Sequence, residues 1–245
     1  MNHCKDYLGC SDSNVSAYTQ DEELKFVQCD NCDIIWRSKD SSQITKPYEQ
    51  DYFDSKKYDK RRKHKVKKSG WMLDLASLNH SSINSMLEIG CSMGYTLEAA
   101  KNREIDHLGI DVSEYAVKFC ENIGLNASNA GLAELKEVGN KFDLVYMQHV
   151  LEHFKNPFEV LQDCNDLLNK NGLILIMVPN SEYGKAKKQK EKHRFYNQKG
   201  VGAEHFVYFN YTNIEKVLNA SGFKVVQQNY PVFTGKYYDF DFFMN

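Results

Sequence analysis

The chain has 245 residues, 42% hydrophobic and 26% charged, and its 31 basic and 33 acidic side chains give a net charge of −2. This composition allows a sizeable core and excludes a wholly disordered chain. The longest apolar run, Leu173 to Val178, is far shorter than the ~20 residues of a membrane-spanning helix, and the polar start MNHCKDY lacks the apolar stretch of a signal peptide. We therefore expect a cytoplasmic protein with no membrane span, built from one main domain and a small additional segment.

The first segment, residues 1–45, is rich in cysteine. Cys29 and Cys32 have the spacing of a zinc knuckle, and the pair before them is more loosely spaced, so His3 is an alternative ligand. Because the segment has few large apolar residues, a metal ion would compensate for its small core. We predict one structural zinc ion that serves folding and lies apart from the chemistry, with a set of reduced, buried cysteines as the alternative. The predicted ligands are Cys4, Cys10, Cys29 and Cys32.

Residues 46–80 form a Tyr-rich and then basic connector of mostly helical pattern. Residues 56–68 contain nine Lys or Arg and one Asp, which leaves a charge of −10 for the remainder of the chain. Such a run is typical either of a nucleic-acid-binding surface or of a solvated helix face. No aromatic-rich RNA-binding motif accompanies it, so we favour the helix face and do not expect a nucleic-acid partner. Four apolar residues recur at helical spacing and are predicted to pack on the next domain: Trp71, Met72, Leu75 and Leu78.

In residues 81–245 short apolar runs alternate with helical stretches. The runs MLEIG, HLGID, FDLVYM and LILIMV are typical of buried parallel strands. Helices are predicted over 95–102 and 113–122, from Asn156-Pro157 onward, and from the capping-box pattern Thr212-Asn213-Ile214-Glu215 to residue 219. This alternation predicts an α/β fold with a doubly wound, mostly parallel sheet, whose ligand lies beyond the carboxyl ends of the strands.

The first predicted strand ends in a glycine-containing turn, Glu88-Ile-Gly90-Cys91-Ser92-Met93-Gly94, and the second strand ends at Asp111. A glycine turn lets the backbone approach a ligand, and a carboxylate that ends the next strand can accept hydrogen bonds from ribose hydroxyls. The pattern predicts an adenosine-containing cofactor. A nicotinamide dinucleotide is disfavoured, because Ser92 and Tyr95 replace the second and third glycines of G-x-G-x-x-G.

These motifs resemble those of the Rossmann-like methyltransferases that use S-adenosylmethionine. Their first motif, an acidic residue followed by alternating glycines, is matched except at Ser92, where a serine fits if its backbone angle is ordinary. The resemblance continues through GIDVSEYAV, FDLVYMQHVLEHFKNP, LLNKNGLILIMVPN, AEHFVYFN and SGFKVV. It implies a seven-stranded sheet with S-adenosylmethionine as cofactor and S-adenosylhomocysteine as product. An adenine-nucleotide-binding domain without methyl transfer is the alternative.

The resemblance also implies the cofactor contacts. The glycine loop would surround the methionine part of the cofactor with Glu88 near its amino group, Asp111 would hold the ribose, and Val112 would pack on adenine. Residues 129–132 would lie beside the adenine edge, and Gln148 would face the methionine moiety. The implied set is Glu88, Gly90, Cys91, Ser92, Gly94, Tyr95, Asp111, Val112, Asn129, Leu132 and Gln148.

Two histidines are candidate general bases. His149 comes just after the strand FDLVYM, at the mouth of the implied cofactor site, and an imidazole with a pKa near ~6.5 suits proton removal from an acceptor hydroxyl. His205 is the rival base, because it ends an insertion at about 180–207 that in such folds covers the acceptor pocket. The sequence leaves open which histidine acts, whether a base is needed, and whether His149 only packs locally.

The segment His149-x-x-Glu152-His153 also spells a zinc-protease pattern, which we set aside because His149 follows a strand. Some quinone O-methyltransferases that resemble this segment carry Glu, Glu and His here and bind a divalent cation. His149 replaces the first of these glutamates, which weakens that interpretation for a hard cation. Glu152 and His153 are therefore predicted to orient the loop, and the role of a divalent cation is left open.

The acceptor is expected to be a small molecule. Arg194 and Tyr196 in the insertion and Tyr52 and Tyr58 in the connector are candidate substrate contacts, with a basic loop and aromatic packing as the alternatives. A cysteine-rich front end followed by a Tyr-rich connector resembles a subgroup that often modifies sugars or other small metabolites. This resemblance implies methyl transfer to oxygen, less readily to nitrogen, of a sugar or surface-polysaccharide precursor or a similar metabolite, phosphorylated ones included. The alternatives are a quinone or phenol O-methyltransferase, an RNA-binding methyltransferase, and a cofactor sensor without turnover; whether the chain forms a homodimer is left open.

Overall fold

A computed structural model describes residues 4, 8, 10, 15–17, 26–37, 61–79, 82–180, 205–229 and 239–244 of the chain. The strands are β1 (Val15–Ala17), β2 (Phe26–Cys29), β3 (Ile35–Arg37), β4 (Ser85–Ile89), β5 (Asp106–Ile110), β6 (Ala127–Ser128), β7 (Phe142–Gln148), β8 (Leu168–Pro179), β9 (Val207–Tyr208), β10 (Val225–Asn229) and β11 (Asp239–Met244). The helices are α1 (Arg62–Asn79), α2 (Tyr95–Lys101), α3 (Glu114–Asn122), α4 (Leu132–Val138), α5 (Pro157–Leu167) and α6 (Tyr211–Ala220), and a 3₁₀ turn spans Leu151–His153. Among the helices described, none combines the length and the hydropathy needed to cross a bilayer.

The chain divides into two compact units, which are described separately. The α/β unit comprises Pro47–Gln148, Asp163–Ile176 and Phe242–Asn245. The cysteine unit comprises Met1–Lys46, His149–Gln162 and Met177–Asp241. The expected boundaries at residues 45 and 80 and the insertion at about 180–207 stay predictions, and residues 181–204 lie outside the described part of the chain.

The larger sheet has seven strands in the order β10-β11-β8-β7-β4-β5-β6. β4 pairs in parallel with β5 on one side and with β7 on the other, and β5 pairs in parallel with β6. The chain thus runs outward from β4 through β5 to β6 and then returns to β7 beside β4. Such a reversal of strand order opens a crevice at the carboxyl ends of the strands, where ligands bind in sheets of this kind. The predicted α/β fold class is confirmed.

The helices predicted at 95–102, at 113–122 and from Asn156-Pro157 begin within one residue of the expected position, and the helix predicted from Thr212 does not have the expected cap. The Ser113 hydroxyl caps α3 by accepting a hydrogen bond from the Ala116 N–H. The predicted capping box at Thr212 and Glu215 is wrong, because α6 begins at Tyr211 and its cap is Asn210. The Asn210 side chain accepts from the Asn213 N–H at 2.8 Å, and Asn213 Oδ1 accepts from the Asn210 N–H at the same distance. Both acceptors in this capping box are asparagine side chains. Because Asn210 is the cap, the helix begins at Tyr211, one residue before Thr212.

The packing face of helix α1 matches the predicted one only in part, because Met72 is buried as expected and Trp71 and Leu78 are not. Trp71 and Leu78 are 57% and 82% exposed, so the expectation that they pack inward is wrong. The buried residues of the helix are Ser69, Gly70, Met72, Leu73 and Ala76. The Ser69 hydroxyl lies 3.1 Å from that of Thr96 in α2, and an added Cβ at Gly70 would clash with the Arg103 guanidinium. Small residues therefore decide which face of α1 lies against α2.

The cysteine unit contains a second sheet of four strands in the order β1-β2-β3-β9. All three pairings are antiparallel, and in the last of them Ile35 lies opposite Tyr208 and Trp36 opposite Val207. The turn between β2 and β3 contains Asp33 with φ of 60°, and its N–H donates to the Cys29 carbonyl at 2.8 Å. The cysteine-rich segment therefore shares its sheet with a strand from late in the chain.

Candidate functional site

The loop between β4 and α2 has the backbone shape of a ligand-binding turn. Gly90, Ser92 and Gly94 all have left-handed φ, at 74°, 49° and 70°. Gly94 is required there, because an added Cβ would lie 2.7 Å from Leu125 and 2.8 Å from Cys120. The condition under which a serine was predicted to fit, an ordinary backbone angle at Ser92, is not met, because Ser92 adopts the left-handed conformation of the glycines on either side.

Asp111, at the end of β5, holds this loop. Its Oδ2 accepts a hydrogen bond from the Ser92 N–H at 2.8 Å, and its Oδ1 accepts one from the Ser113 N–H at 2.9 Å. Burial raises the pKa of the carboxyl, and the two N–H donors act against that rise. Each carboxylate oxygen can still accept another hydrogen bond, so both can also receive ribose hydroxyls.

Val112 and Asn129 lie beside Asp111 at the ends of neighbouring strands. The Val112 side chain is 83% exposed, although valine is normally buried. Asn129 donates through Nδ2 to the Asp111 carbonyl at 2.8 Å, and Leu132 begins α4 just beyond it. The exposed apolar side chain of Val112 and the polar side chain of Asn129 therefore lie where an adenine ring was predicted to bind.

Glu88 and Gln148 end the two central strands of the α/β unit. Burial raises the pKa of Glu88 well above its usual range, and hydrogen bonds from the Thr96 side chain and the Leu97 backbone act against that rise. Its Oε2 is buried and has no hydrogen-bond partner among the described residues. Gln148 accepts from the Tyr146 hydroxyl at 3.1 Å. The crevice therefore holds a buried carboxyl oxygen that a polar ligand group could satisfy.

Cys91 and Tyr95 were both predicted to contact the cofactor. The Cys91 side chain is buried against β5, so close that a Cβ at Gly109 would lie 2.8 Å from its sulfur. Only its backbone can therefore contribute to the loop surface. Tyr95 is half-buried, and cations from α1 lie over its ring, with Lys65 Nζ 4.5 Å from the ring centroid.

Arg62 is a loop-holding residue that the sequence did not single out. Its Nη1 donates to the Met93 carbonyl in the glycine loop at 2.8 Å, and its Nε donates to Glu98 Oε2 at 2.7 Å. The guanidinium also lies over the rings of Tyr95 and Phe119, 5.3 and 5.5 Å from their centroids. In the sequence it is one of many cations in a basic run, and nothing in that run distinguishes it.

The cysteine unit brings the predicted catalytic residues together around Glu152. His149 Nδ1 lies 3.5 Å from Glu152 Oε1, and His205 Nε2 lies 3.9 Å from the same oxygen. The His153 ring stands edge-on to that of His205, with centroids 4.8 Å apart. Glu152 is 1% exposed, and neither of its carboxylate oxygens has a hydrogen-bond partner within the described residues. The cluster therefore brings two imidazole rings to within 4 Å of one buried carboxylate oxygen.

The two candidate bases differ in accessibility. The His149 side chain is 37% exposed, whereas that of His205 is 9% exposed. Burial lowers the pKa of His205 to about 4, so its imidazole is neutral at neutral pH and a weak base. His149 has a left-handed φ of 56°, and its N–H donates to the Met177 carbonyl at 2.8 Å. Non-glycine residues held in this conformation concentrate at functional sites.

Among the described residues, two side-chain groups offer metal-ligand atoms within 4.8 Å of one another: Cys4, Cys29 and Cys32, and Glu152, His153 and His205. In the first, the sulfurs of Cys4 and Cys32 are 3.4 Å apart, and the Cys10 thiol hydrogen-bonds with Cys29 and Cys32. Asn31 Nδ2 donates to the Cys10 sulfur at 3.5 Å. All four predicted cysteine ligands thus meet in one buried cluster. The hydrogen bond between Cys32 and Cys4 lowers the pKa of Cys32 to about 6, which favours a thiolate there.

Several predicted residues lie outside the described part of the chain. The predicted substrate contacts Tyr52, Tyr58, Arg194 and Tyr196 and the alternative zinc ligand His3 are among them. The positions of the predicted cofactor, base and cysteine residues are therefore described, whereas those of the substrate contacts are not, and the roles of all these residues stay predictions.

Comparison with known proteins gives a consistent family. Residues 58–228 match a family model described as "Methyltransferase domain". A tRNA U34 carboxymethyltransferase of Campylobacter jejuni is 28% identical over 128 residues, which are 44% of each chain. A ubiquinone biosynthesis O-methyltransferase of Leptothrix cholodnii is 26% identical over 103 residues, 39% of this chain and 44% of the relative. The aligned segments thus span less than half the length of these relatives.

Solved structures share the fold. A magnesium protoporphyrin IX methyltransferase from Synechocystis PCC 6803 with bound SAH superposes with a TM-score of 0.56 at 18% identity, over 79% of this chain and 96% of that one. At this identity the likeness concerns the arrangement of strands and helices.

Proposed function

The chain belongs to the methyltransferase domain family, and on this premise we propose that it transfers a methyl group from S-adenosylmethionine to an oxygen atom, less readily to nitrogen, of a small metabolite. The observation that carries the proposal is the contact between Ser92 and Asp111, which joins the glycine loop to the predicted ribose carboxylate. Binding of S-adenosylhomocysteine, measured by calorimetry, tests the cofactor. Appearance of a methylated product from a labelled methyl donor tests the reaction.

The residues in the crevice fit this cofactor. Val112 offers exposed apolar surface to adenine, and Asp111 can accept the ribose hydroxyls. The buried Glu88 Oε2 can accept a hydrogen bond from the amino group of the methionine part, directly or through water. When bound, S-adenosylmethionine supplies a methyl group that its sulfonium sulfur makes electrophilic. The loop from Gly90 to Gly94 orients the cofactor by its backbone, and such alignment accounts for much of the rate gain in a displacement reaction.

His149 is the proposed general base. It directly follows Gln148, the last residue of β7, and its imidazole is more accessible than that of His205. Its Nδ1 lies 3.5 Å from the Glu152 carboxylate, and the proposal assigns to Nε2 the acceptance of a proton from an acceptor hydroxyl. Glu152 then stabilises the imidazolium that forms. An acceptor that is already ionised, such as a phosphate, would need His149 only for orientation.

The proposed acceptor class is a sugar or surface-polysaccharide precursor or a similar small metabolite. It is supported by the combination of a cysteine-rich front end with the methyltransferase domain. A panel of sugars, sugar phosphates and phenols, each assayed with labelled methyl donor, tests the class. The similarity to a ubiquinone biosynthesis O-methyltransferase makes a phenolic acceptor the second candidate, and turnover of phenols alone would favour it.

RNA is a further candidate acceptor, supported by the similarity to tRNA carboxymethyltransferases and by an exposed basic face on α1. Lys63, Lys67 and Trp71 are exposed on successive turns of this helix, and Lys67 Nζ lies 5.1 Å from the Trp71 ring centroid. Retention of RNA that falls steeply with added salt would favour this candidate, because phosphate contacts release counterions. Salt-independent or absent retention favours the small metabolite.

The cysteine cluster is proposed to hold one structural zinc ion. Four cysteine side chains meet in a buried cluster, and tetrahedral thiolate coordination is the commonest use of such a set. Cys29 and Cys32 would supply the knuckle, and Cys4 and Cys10 the remaining ligands. The cytoplasmic location and the oligomeric state stay predictions from the sequence.

A further inference from the structure

We infer that the cysteine cluster (Cys4, Cys10, Cys29 and Cys32) is a positioning element for the histidine cluster (His149, Glu152, His153 and His205), rather than a separate folding module. The inference rests on the proposed function, because it takes the histidine cluster to be the acceptor side of that reaction. Both clusters belong to the cysteine unit. Three independent links join them: a run of backbone hydrogen bonds, a series of ring contacts, and a shared apolar wall.

The first link is a run of backbone hydrogen bonds from β3, the strand after the Cys29–Cys32 turn, to the backbone carbonyl of Glu152. Cys29 ends β2, and the turn it forms with Cys32 leads directly into β3. The N–H of Arg37, the last residue of β3, donates to the Phe206 carbonyl at 2.9 Å. The Phe206 N–H in turn donates to the Glu152 carbonyl at 2.8 Å. The position of β3 therefore fixes the residue next to His205 and the turn that carries Glu152.

The second link is a series of contacts between aromatic rings that joins β2 to the histidine cluster. Phe26 in β2 stands edge-on to Tyr208 in β9, with centroids 5.4 Å apart. Tyr208 lies 5.4 Å from the His205 ring, which lies 4.8 Å from the His153 ring. Phe26, Tyr208 and His205 are all buried. Because protein interiors are close-packed, a displacement of β2 would also displace these three rings.

The shared wall places a cysteine directly against the strand that follows His205. Cys4 lines a small apolar cavity together with Ile34 and Trp36 from the β3 side and Val207 and Phe209 from the β9 side. Pro157 and Phe158, from the start of α5, complete the lining. Loss of the Cys4 thiol from the cluster would therefore loosen both strands at the place where they pair.

The inference predicts a specific pattern of effects. Disrupting the cysteine cluster should alter the histidine cluster, whereas cofactor binding depends on loops of the α/β unit and should persist. The position of the His205 ring is read from its imidazole resonances in NMR spectra at fixed pH, since the chemical shifts report the rings around it. S-adenosylhomocysteine affinity is read by calorimetry in the same samples.

The experiment compares Cys29→Ser with Cys164→Ser. Cys164 is also a fully buried cysteine, but it lies in α5 within the α/β unit, so the matched variant controls for the chemistry of the substitution. Cys29→Ser should shift the His205 and His153 resonances and leave S-adenosylhomocysteine affinity within about twofold. Cys164→Ser should leave the histidine resonances in place.

Phe26→Leu provides a second test in case Cys29→Ser does not fold. It keeps a buried apolar side chain and removes the ring that contacts Tyr208, so it should also shift the His205 resonance. Unchanged His205 resonances in both variants, or loss of S-adenosylhomocysteine binding together with the shifts, would overturn the inference. Failure of the proposed function would look different. The histidine resonances and the S-adenosylhomocysteine affinity would behave as stated, but no acceptor would yield a methylated product.

Discussion

The backbone N–H of Ser92 donates a hydrogen bond of 2.8 Å to Oδ2 of Asp111. This contact holds a serine in the left-handed conformation, with φ of 49°, at the middle position of the glycine motif that the segment resembles. A left-handed conformation costs a non-glycine residue roughly 1–2 kcal/mol, an amount comparable with a hydrogen bond to a charged acceptor. Asp111 therefore shapes the loop, and the proposed function gives it a second role, in which its remaining lone pairs accept the ribose hydroxyls.

Removal of this carboxylate should weaken cofactor binding without unfolding the sheet. We expect Asp111→Ala to reduce S-adenosylhomocysteine affinity by more than tenfold, or ~1.4 kcal/mol, because the loop loses its anchor and the ribose its acceptor. Asp106→Ala, an exposed position at the other end of the same strand, is the matched control and should bind normally. Calorimetric affinity that is equal in the two variants would contradict the assignment of Asp111.

Substitutions at Ser92 should separate loop shape from side-chain chemistry. Ser92→Gly should keep S-adenosylhomocysteine affinity within about threefold, because glycine adopts the left-handed conformation without strain. Ser92→Val should lower it by about tenfold or more, because a branched Cβ disfavours that conformation. Calorimetry on both proteins checks the pair. Equal losses in the two variants would indicate that the serine hydroxyl, rather than the backbone angle, supports binding.

The sequence predicts the cofactor side of the site better than the acceptor side. Gly90 and Asp111 each follow a strand whose apolar run is visible in the sequence, so their juxtaposition follows from the parallel sheet itself. The pairing of Trp36 with Val207 could not be predicted, because it joins two short segments far apart in the chain and neither has a strong pattern. The role of Arg62 is hidden for a related reason, since only its distance from Met93 distinguishes it from the neighbouring cations.

Zinc content tests the cysteine cluster. Elemental analysis of the purified protein should give about one zinc per chain, and Cys32→Ser should reduce that content strongly, because it removes one of the four proposed thiolate ligands. Cys164→Ser is the control and should retain the metal. Metal-free wild-type protein in which all four thiols titrate freely would count against the site. Acidification should release the ion, since protons compete for thiolate ligands.

The buried His205 should make stability depend on pH. Burial is the main cause that lowers its pKa from 6.5 to about 4, with the charges of His153, His149 and Arg37 acting in the same direction and Glu152 against them. The unfolded chain then binds the proton more readily, so this contribution to stability is complete above pH 6.5 and is lost as the pH falls toward 4. The free energy of unfolding of wild type should therefore fall on acidification by up to roughly 3 kcal/mol more than that of His205→Asn. Parallel curves from urea titrations of the two proteins would show that His205 titrates normally.

The identity of the base is tested by a pair of substitutions at His149. Asparagine tolerates the left-handed backbone angle of 56° better than alanine, so His149→Asn removes the base with the smaller change in backbone strain. With a hydroxyl acceptor, turnover should fall by ~10²–10⁴ in both His149→Ala and His149→Asn, with cofactor affinity nearly unchanged, because a base acts in the transition state. In both variants the ascending limb of the pH–rate profile near the histidine pKa should disappear.

With a phosphate or carboxylate acceptor there should be no ascending limb, and His149→Asn should keep much of the activity. If His205→Ala alone abolishes the limb, the base is His205, and the accessibility argument for His149 is wrong.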